Sequence, residues 1–148
     1  METSFSMEEV TVATTIRKTA YFSMQTSNRA GQAARLLDGL AAHGVDLLAF
    51  TGFPGAEAAQ VDFIPCDVAK FIRAARKLDL NVGEKKTVFL ARGKDKPGAI
   101  AKICGKLAKA GINMVAMDAV AAGKGRFGAI FWVKPADVAK AAKVLGAR

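Results

Sequence analysis

Apolar residues return at helical spacing in four stretches of the chain, and runs of strand-forming residues lie between them. Ala33, Leu36, Leu37, Leu40 and Ala41 mark one stripe, and Ile100, Ile103, Cys104, Leu107 and Ala108 mark another. Val68, Phe71, Ile72 and Ala75 make a third, and Val138, Ala141, Ala142 and Leu145 a fourth. The first two stripes stop near Gly44 and Gly111, which suits a left-handed C-terminal cap. Asp67 and Asp137 stand before the other two as N-cap candidates. Strand patterns occupy residues 19–25, 46–53, 59–64, 87–91, 113–120 and 127–133, with a short one at 80–82. Residues 9–17 alternate as well, placing Val10, Val12, Thr14 and Ile16 on one side.

These elements come in two rounds. Asn28-Arg29-Ala30-Gly31 opens the first helix, and Asp95-Lys96-Pro97-Gly98 opens its counterpart 67 positions later. Pro65-Cys66-Asp67-Val68-Ala69-Lys70 returns as Pro135-Ala136-Asp137-Val138-Ala139-Lys140, 70 positions later. Extra residues around Gly123-Lys124-Gly125 lengthen the hairpin of the second round. A repeat fixes the structural unit before any fold is assigned. Residues 19–84 read as βαββαβ and residues 85–148 as βαββα. Residues 1–18 form an extension whose strand pattern suits the position that the second round leaves vacant. The expected fold is α+β: two ferredoxin-like domains side by side, each an antiparallel sheet with its helices on one face.

Charge divides along the same line. Residues 85–148 hold 14 basic and 3 acidic residues, and residues 1–84 hold 8 basic and 10 acidic. Such a surplus suits an acidic partner. It equally suits solvated helix faces, since Lys102, Lys106 and Lys109 recur at helical spacing. The N-terminal residues lack the basic-then-apolar order of a signal peptide, and no apolar run approaches a membrane span. The expected location is cytoplasmic, with Cys66 and Cys104 as reduced thiols in or near the core.

Little catalytic chemistry is on offer. His43 precedes a helix-ending glycine, no serine or cysteine sits in a nucleophile motif, and no metal-ligand spacing occurs. Asp38, Glu57, Asp62 and Asp79 read as surface carboxylates. No cofactor and no enzymatic activity are expected. The two helix-opening loops remain. A helix start offers unpaired N–H groups and partial positive charge, which can hold a carboxylate. Gly31 and Gly98 would let a ligand come close to the backbone. Asn28 or Asp95, three residues earlier, adds a polar side chain, and a carboxylate there also meets an ammonium group. That pairing suits an α-amino acid.

Asp95-Lys96-Pro97-Gly98, the helix after it and Ala110-Gly111-Ile112-Asn113-Met114 together resemble the ACT domain. Asn28-Arg29-Ala30-Gly31 and Gly44-Val45-Asp46-Leu47 resemble it more loosely, lacking the proline and carrying Asp46 for the usual asparagine. The resemblance covers residues 19–148. It implies a stand-alone, non-catalytic tandem protein that binds an amino acid or similar small carboxylate. It also implies homodimerisation and a regulated enzyme or transcription partner. The binding positions carried over are Asn28, Arg29, Ala30, Gly31 and Asp46, then Asp95, Lys96, Pro97, Gly98 and Asn113. Two other readings stay open. One is RNA binding: Phe89 in Val88-Phe89-Leu90, with Phe127 and Phe131 in Lys124-Gly125-Arg126-Phe127-Gly128-Ala129-Ile130-Phe131, resembles base-stacking strands of the RNA-recognition fold. The other is an interaction module with no ligand.

Overall fold

The computed structural model describes residues 14–148. The lead-in read at residues 1–8 and the alternating residues 9–13 lie outside them. The chain divides into two compact units, one holding Ala20–Lys86 and the other holding Thr87–Arg148 with the described residues up to Thr19.

The Ala20–Lys86 unit contains most of β1 (Thr15–Ser27), then α1 (Gln32–Ala42), β2 (Leu47–Pro54), β3 (Ala58–Pro65) and α2 (Val68–Lys77). Its strands lie in the order β2-β3-β1, with both pairs antiparallel. Alternate strand residues point to one face, so Phe22, Met24, Val61 and Phe63 meet Leu36 and Leu40 of α1 and Phe71, Ala74 and Ala75 of α2. Ala33 and Ala41, read as part of the α1 stripe, are exposed instead. Phe71 sits between Phe22 and Phe63, with ring centroids 5.0 and 5.4 Å away. Burying such rings contributes about 2–3 kcal/mol each.

The second unit repeats the plan with β4 (Lys86–Lys94), α3 (Ala99–Lys109), β5 (Met114–Gly123), β6 (Arg126–Val133), a 3-10 turn (Pro135–Asp137) and α4 (Val138–Leu145). Its order is β1-β4-β6-β5. Phe89, Ala91, Phe127, Ala129 and Phe131 pack against Ile103 and Leu107 of α3 and Ala141 and Leu145 of α4. The antiparallel α+β architecture of six strands and four helices is therefore present. Phe89, Phe127 and Phe131 lie in the core that the helices cover, at most 5% exposed, so none offers a ring for a base to stack on. Ile130, Trp132 and Val88 alternate onto the other face and are buried too.

The ends of the first helix in each unit show why the repeat persists. Gly44 and Gly111 both have φ of 73°. Val45 N–H reaches Leu40 O and Gly44 N–H reaches Ala41 O; Ile112 reaches Leu107 and Gly111 reaches Ala108 in the same pattern. This glycine-dependent closure satisfies otherwise orphaned carbonyls. A register shift follows in both units, between Leu47 and Ala49 and between Met114 and Ala116.

Four details depart from the sequence reading. β1 is one strand from Thr15 to Ser27 and does not break between residues 17 and 19, because Arg17-Lys18-Thr19 holds no turn-forming residue. Ile16 at its start packs on the second unit's core, Lys18 N–H donates to Arg148 O (3.0 Å), and Arg148 N–H donates to Ile16 O (3.4 Å). The chain just before β1 comes close to β4: a Cβ on Gly93 would lie 2.9 Å from Thr14 Cα. Residues 80–82 form no strand. Leu80 N–H is used to close α2 on Ala75 O, and contact with β1 comes through Gly83 N–H to Ser23 O at 2.9 Å. Asp67 caps α2 by accepting from Lys70 N–H (3.1 Å), but Asp137 caps nothing with its side chain. It sits inside the turn begun by Pro135, and its own N–H bonds to Lys134 O.

Asp62 is the fourth departure. It is 4% exposed, on the β3 face away from the helices. Neighbouring strands supply its donors: Ser23 Oγ at 2.7 Å and Thr51 Oγ1 at 3.1 Å, with Gln60 Nε2 at 3.2 Å. A buried carboxylate with several donors is stable where a bare one would not be. Burial, and then the negative charge of Asp62, raises the pKa of Tyr21 above its ordinary value of 10.0.

Candidate functional site

Both helix-opening loops place a glycine at the N-cap in the left-handed region, Gly31 at φ 86° and Gly98 at φ 85°, and neither cap has a side-chain hydrogen bond. A Cβ on either would meet nothing within 4 Å. The glycine is therefore required by backbone conformation, which an L side chain adopts at a cost of about 1 kcal/mol, and open space lies in front of it.

The loops differ in how they are fastened. In the second unit the backbone does the work: Asp95 N–H donates to Gly125 O of the β5–β6 turn at 2.8 Å. In the first unit a side chain does it: Asn28 Nδ2–H donates to Gly55 O at 3.4 Å. Asp46 is also committed, accepting from Leu47 N–H at 3.0 Å and from the exposed Cys66 thiol at 3.6 Å. Cys66 thus lies outside the core expected for it, because it precedes the α2 cap on the surface.

Ahead of α3 lies an open cleft of about 320 Å³. Asp95, Lys96 and Gly98 form its polar end, while Ala99, Ile100 and Val120 are among its apolar walls. Ile100 and Ala101 belong to the first helical turn, whose N–H groups have no acceptor within the helix. One cleft therefore brings together a carboxylate, an ammonium group, a helix start and an apolar wall. Of the residues singled out in this loop, Asp95, Lys96 and Gly98 share the cleft. Pro97 lines a second cavity, and Asn113 lines neither. Asn113 precedes β5, at the opposite end of that strand from Ala119–Ala121, which walls the cleft. In the first unit Arg29 and Ala30 are exposed beside Gly31. The contribution of Val120 was hidden in sequence because it depends on β5 passing the helix start.

Among the described residues no group of His, Cys, Asp and Glu could hold a metal ion. His43 closes the end of α1, its Nδ1–H donating to Gly39 O at 3.0 Å. No helix among the described residues is long and apolar enough to cross a membrane.

Residues 87–148 match the family model of the ACT domain, so an ACT domain occupies that part of the chain. A search of curated protein sequences gave no match. Among solved structures, protein BT0572 from Bacteroides thetaiotaomicron is similar at 21% identity and TM-score 0.72, over 90% of this chain and 88% of that one. The ligand-free regulatory subunit of aspartate kinase from Thermus thermophilus is similar at 14% identity and TM-score 0.62, over 90% of this chain and 95% of that one. The corresponding subunit from Thermus flavus gives 20% identity and TM-score 0.57, over 91% and 94%. At these identities the likeness is one of fold.

Proposed function

We propose that this chain is a non-catalytic regulatory protein of two ACT-type domains, spanning residues 19–84 and 85–148, that binds an amino acid or similar small carboxylate. The observation that carries the reading is the cleft before α3, which joins Asp95, Lys96 and the helix start to an apolar wall. A ligand carboxylate would lie at the N–H groups of Gly98, Ile100 and Ala101 beside Lys96, where the helix dipole favours negative charge. A ligand ammonium would meet Asp95, and an apolar side chain would rest on Ile100 and Val120. The Asn28–Gly31 loop is the weaker candidate of the two, since Asn28 and Asp46 already hold neighbouring groups. The aspartate kinase regulatory subunits supply the analogy for regulation, and the regulated partner here is a cytoplasmic enzyme or transcription factor. A homodimer suits the exposed edge strand β5, where Val115 and Val120 are 63% and 66% exposed. Sedimentation that returns only monomer at high concentration removes that part.

A thermal-shift screen of the twenty amino acids tests the binding, because a ligand held only by the folded state raises its melting temperature. The expected result is a shift from one or a few amino acids that Asp95→Ala abolishes and Asn28→Ala preserves. A full screen with no shift, or a shift that Asp95→Ala leaves intact, would overturn the reading.

A further inference from the structure

A second cavity of the same unit has a different chemistry. It measures about 800 Å³ and lies among the start of β1, the β4–α3 loop, α3 and the end of α4. Lys94, Lys96, Lys102, Lys106 and Arg148 line it, no acidic side chain among the described residues does, and Ile16, Ile103 and Leu145 give it apolar surface. Among the described residues none of the five cations is in an ion pair. The amphipathic pattern of α3 accounts for Lys102 and Lys106 standing outward one turn apart. It does not account for Lys94 arriving from the end of β4, Lys96 from the loop after it and Arg148 from beyond α4. Like charges gathered round one hollow repel each other until an anion neutralises them.

The number of charges selects the ligand. One carboxylate would leave most of these cations unpaired. A terminal phosphate carries about two negative charges near neutral pH, so a chain of two or three phosphates approaches the number of cations present. The volume falls in the range of about 300–1,000 Å³ typical of small-molecule sites. We infer that this hollow binds a small polyphosphate-bearing molecule. Its phosphates meet Lys94, Lys102, Lys106 and Arg148, and any organic part lies against Ile16, Ile103 and Leu145. The site is separate from the amino-acid cleft, although Lys96 and Gly98 border both.

Titration calorimetry on the full chain, with ATP and inorganic tripolyphosphate as probes, tests the inference. Saturable binding at one site per chain, weakening as salt rises, is expected. The double change Lys102→Ala with Lys106→Ala should weaken it roughly tenfold or more, as losing two charged contacts implies. The change Lys140→Ala with Lys143→Ala removes the same charge from exposed positions outside the hollow and should leave affinity unchanged. Tighter binding of ATP than of tripolyphosphate would support the site and give the apolar surface a part. Equal binding would support it with the phosphate chain as the recognised group. Absence of binding by either probe, equal losses from both lysine pairs, or displacement of both probes by a single-stranded RNA oligomer at matched salt would overturn it.

Discussion

The two loops that open α1 and α3 have the same backbone and different obligations. Each ends on a left-handed glycine, and each is tied to the hairpin that follows it in its own unit. In the first, the tie is the Asn28 side chain on Gly55 O. In the second, it is the Asp95 main chain on Gly125 O, so the side chain of Asp95, a residue that lines the cleft, is not used for the tie. A group already used to hold the fold is not available to a ligand, and moving the tie from side chain to main chain releases it.

The sheets diverge in a similar way on the face away from the helices. Asp62 pairs in register with Ser23 and Thr51, and at the matching place Ile130 pairs with Leu90 and Asp118. One unit centres that face on a hydrogen-bonded carboxylate and the other on a branched aliphatic. The helix-covered faces, by contrast, keep Phe22 with Phe63 and Phe89 with Phe131.

Three perturbations sharpen this comparison, from the largest effect to the smallest. Phe63→Ala and Phe131→Ala empty equivalent, fully buried positions and should each cost about 3–5 kcal/mol in denaturant unfolding. Losses differing by more than about 2 kcal/mol would break the claim that the two cores are equivalent. Asp62→Ala leaves Ser23, Thr51 and Gln60 without their shared acceptor and should cost about 1–3 kcal/mol. Ile130→Ala, at the matching place, removes only packing, so a charge-specific origin requires that Asp62→Asn recover part of the first loss and that nothing polar rescue the second. Gly31→Ala and Gly98→Ala should each cost about 1 kcal/mol, since both glycines hold a positive φ with free space around them. Unequal melting temperatures for this pair would mean that one loop relaxes and the other does not.

Much of the framework could be read from the residues because its causes are local. The helix stripes need only neighbours three and four positions away, and the Gly44 and Gly111 closures need only the preceding turn. The paired motifs then supply the α+β order. What escaped reading depends on distant partners. Asp62 looks like any strand carboxylate until Ser23 and Thr51 arrive from 39 and 11 positions away. Asp137 repeats the Asp67 motif, yet Pro135 starts a tighter turn and leaves its side chain idle. The helix-opening loops were visible as candidate sites, but which polar side chain is spoken for depends on a hairpin carbonyl about 30 residues further on. The same holds for the hollow beside α3. Its lysines were read as a solvated face, and their convergence with Lys94 and Arg148 requires the folded chain.

The course of β1 has a consequence for anyone who cuts this gene. Residues 14–19 belong with Thr87–Arg148, although almost seventy residues of another unit intervene. A fragment beginning at Thr87 carries the matched ACT segment and omits the strand beside β4. Its sheet would end in a bare ladder open to any passing strand. Reordering solves this where trimming cannot. Arg148 already bonds to Ile16 and Lys18, so a short linker from Arg148 to Thr14, with new termini between Gly83 and Lys86, would make both units continuous in sequence. Such a permutant would also shorten the mean separation of contacting residues, the property that most slows the folding of small domains.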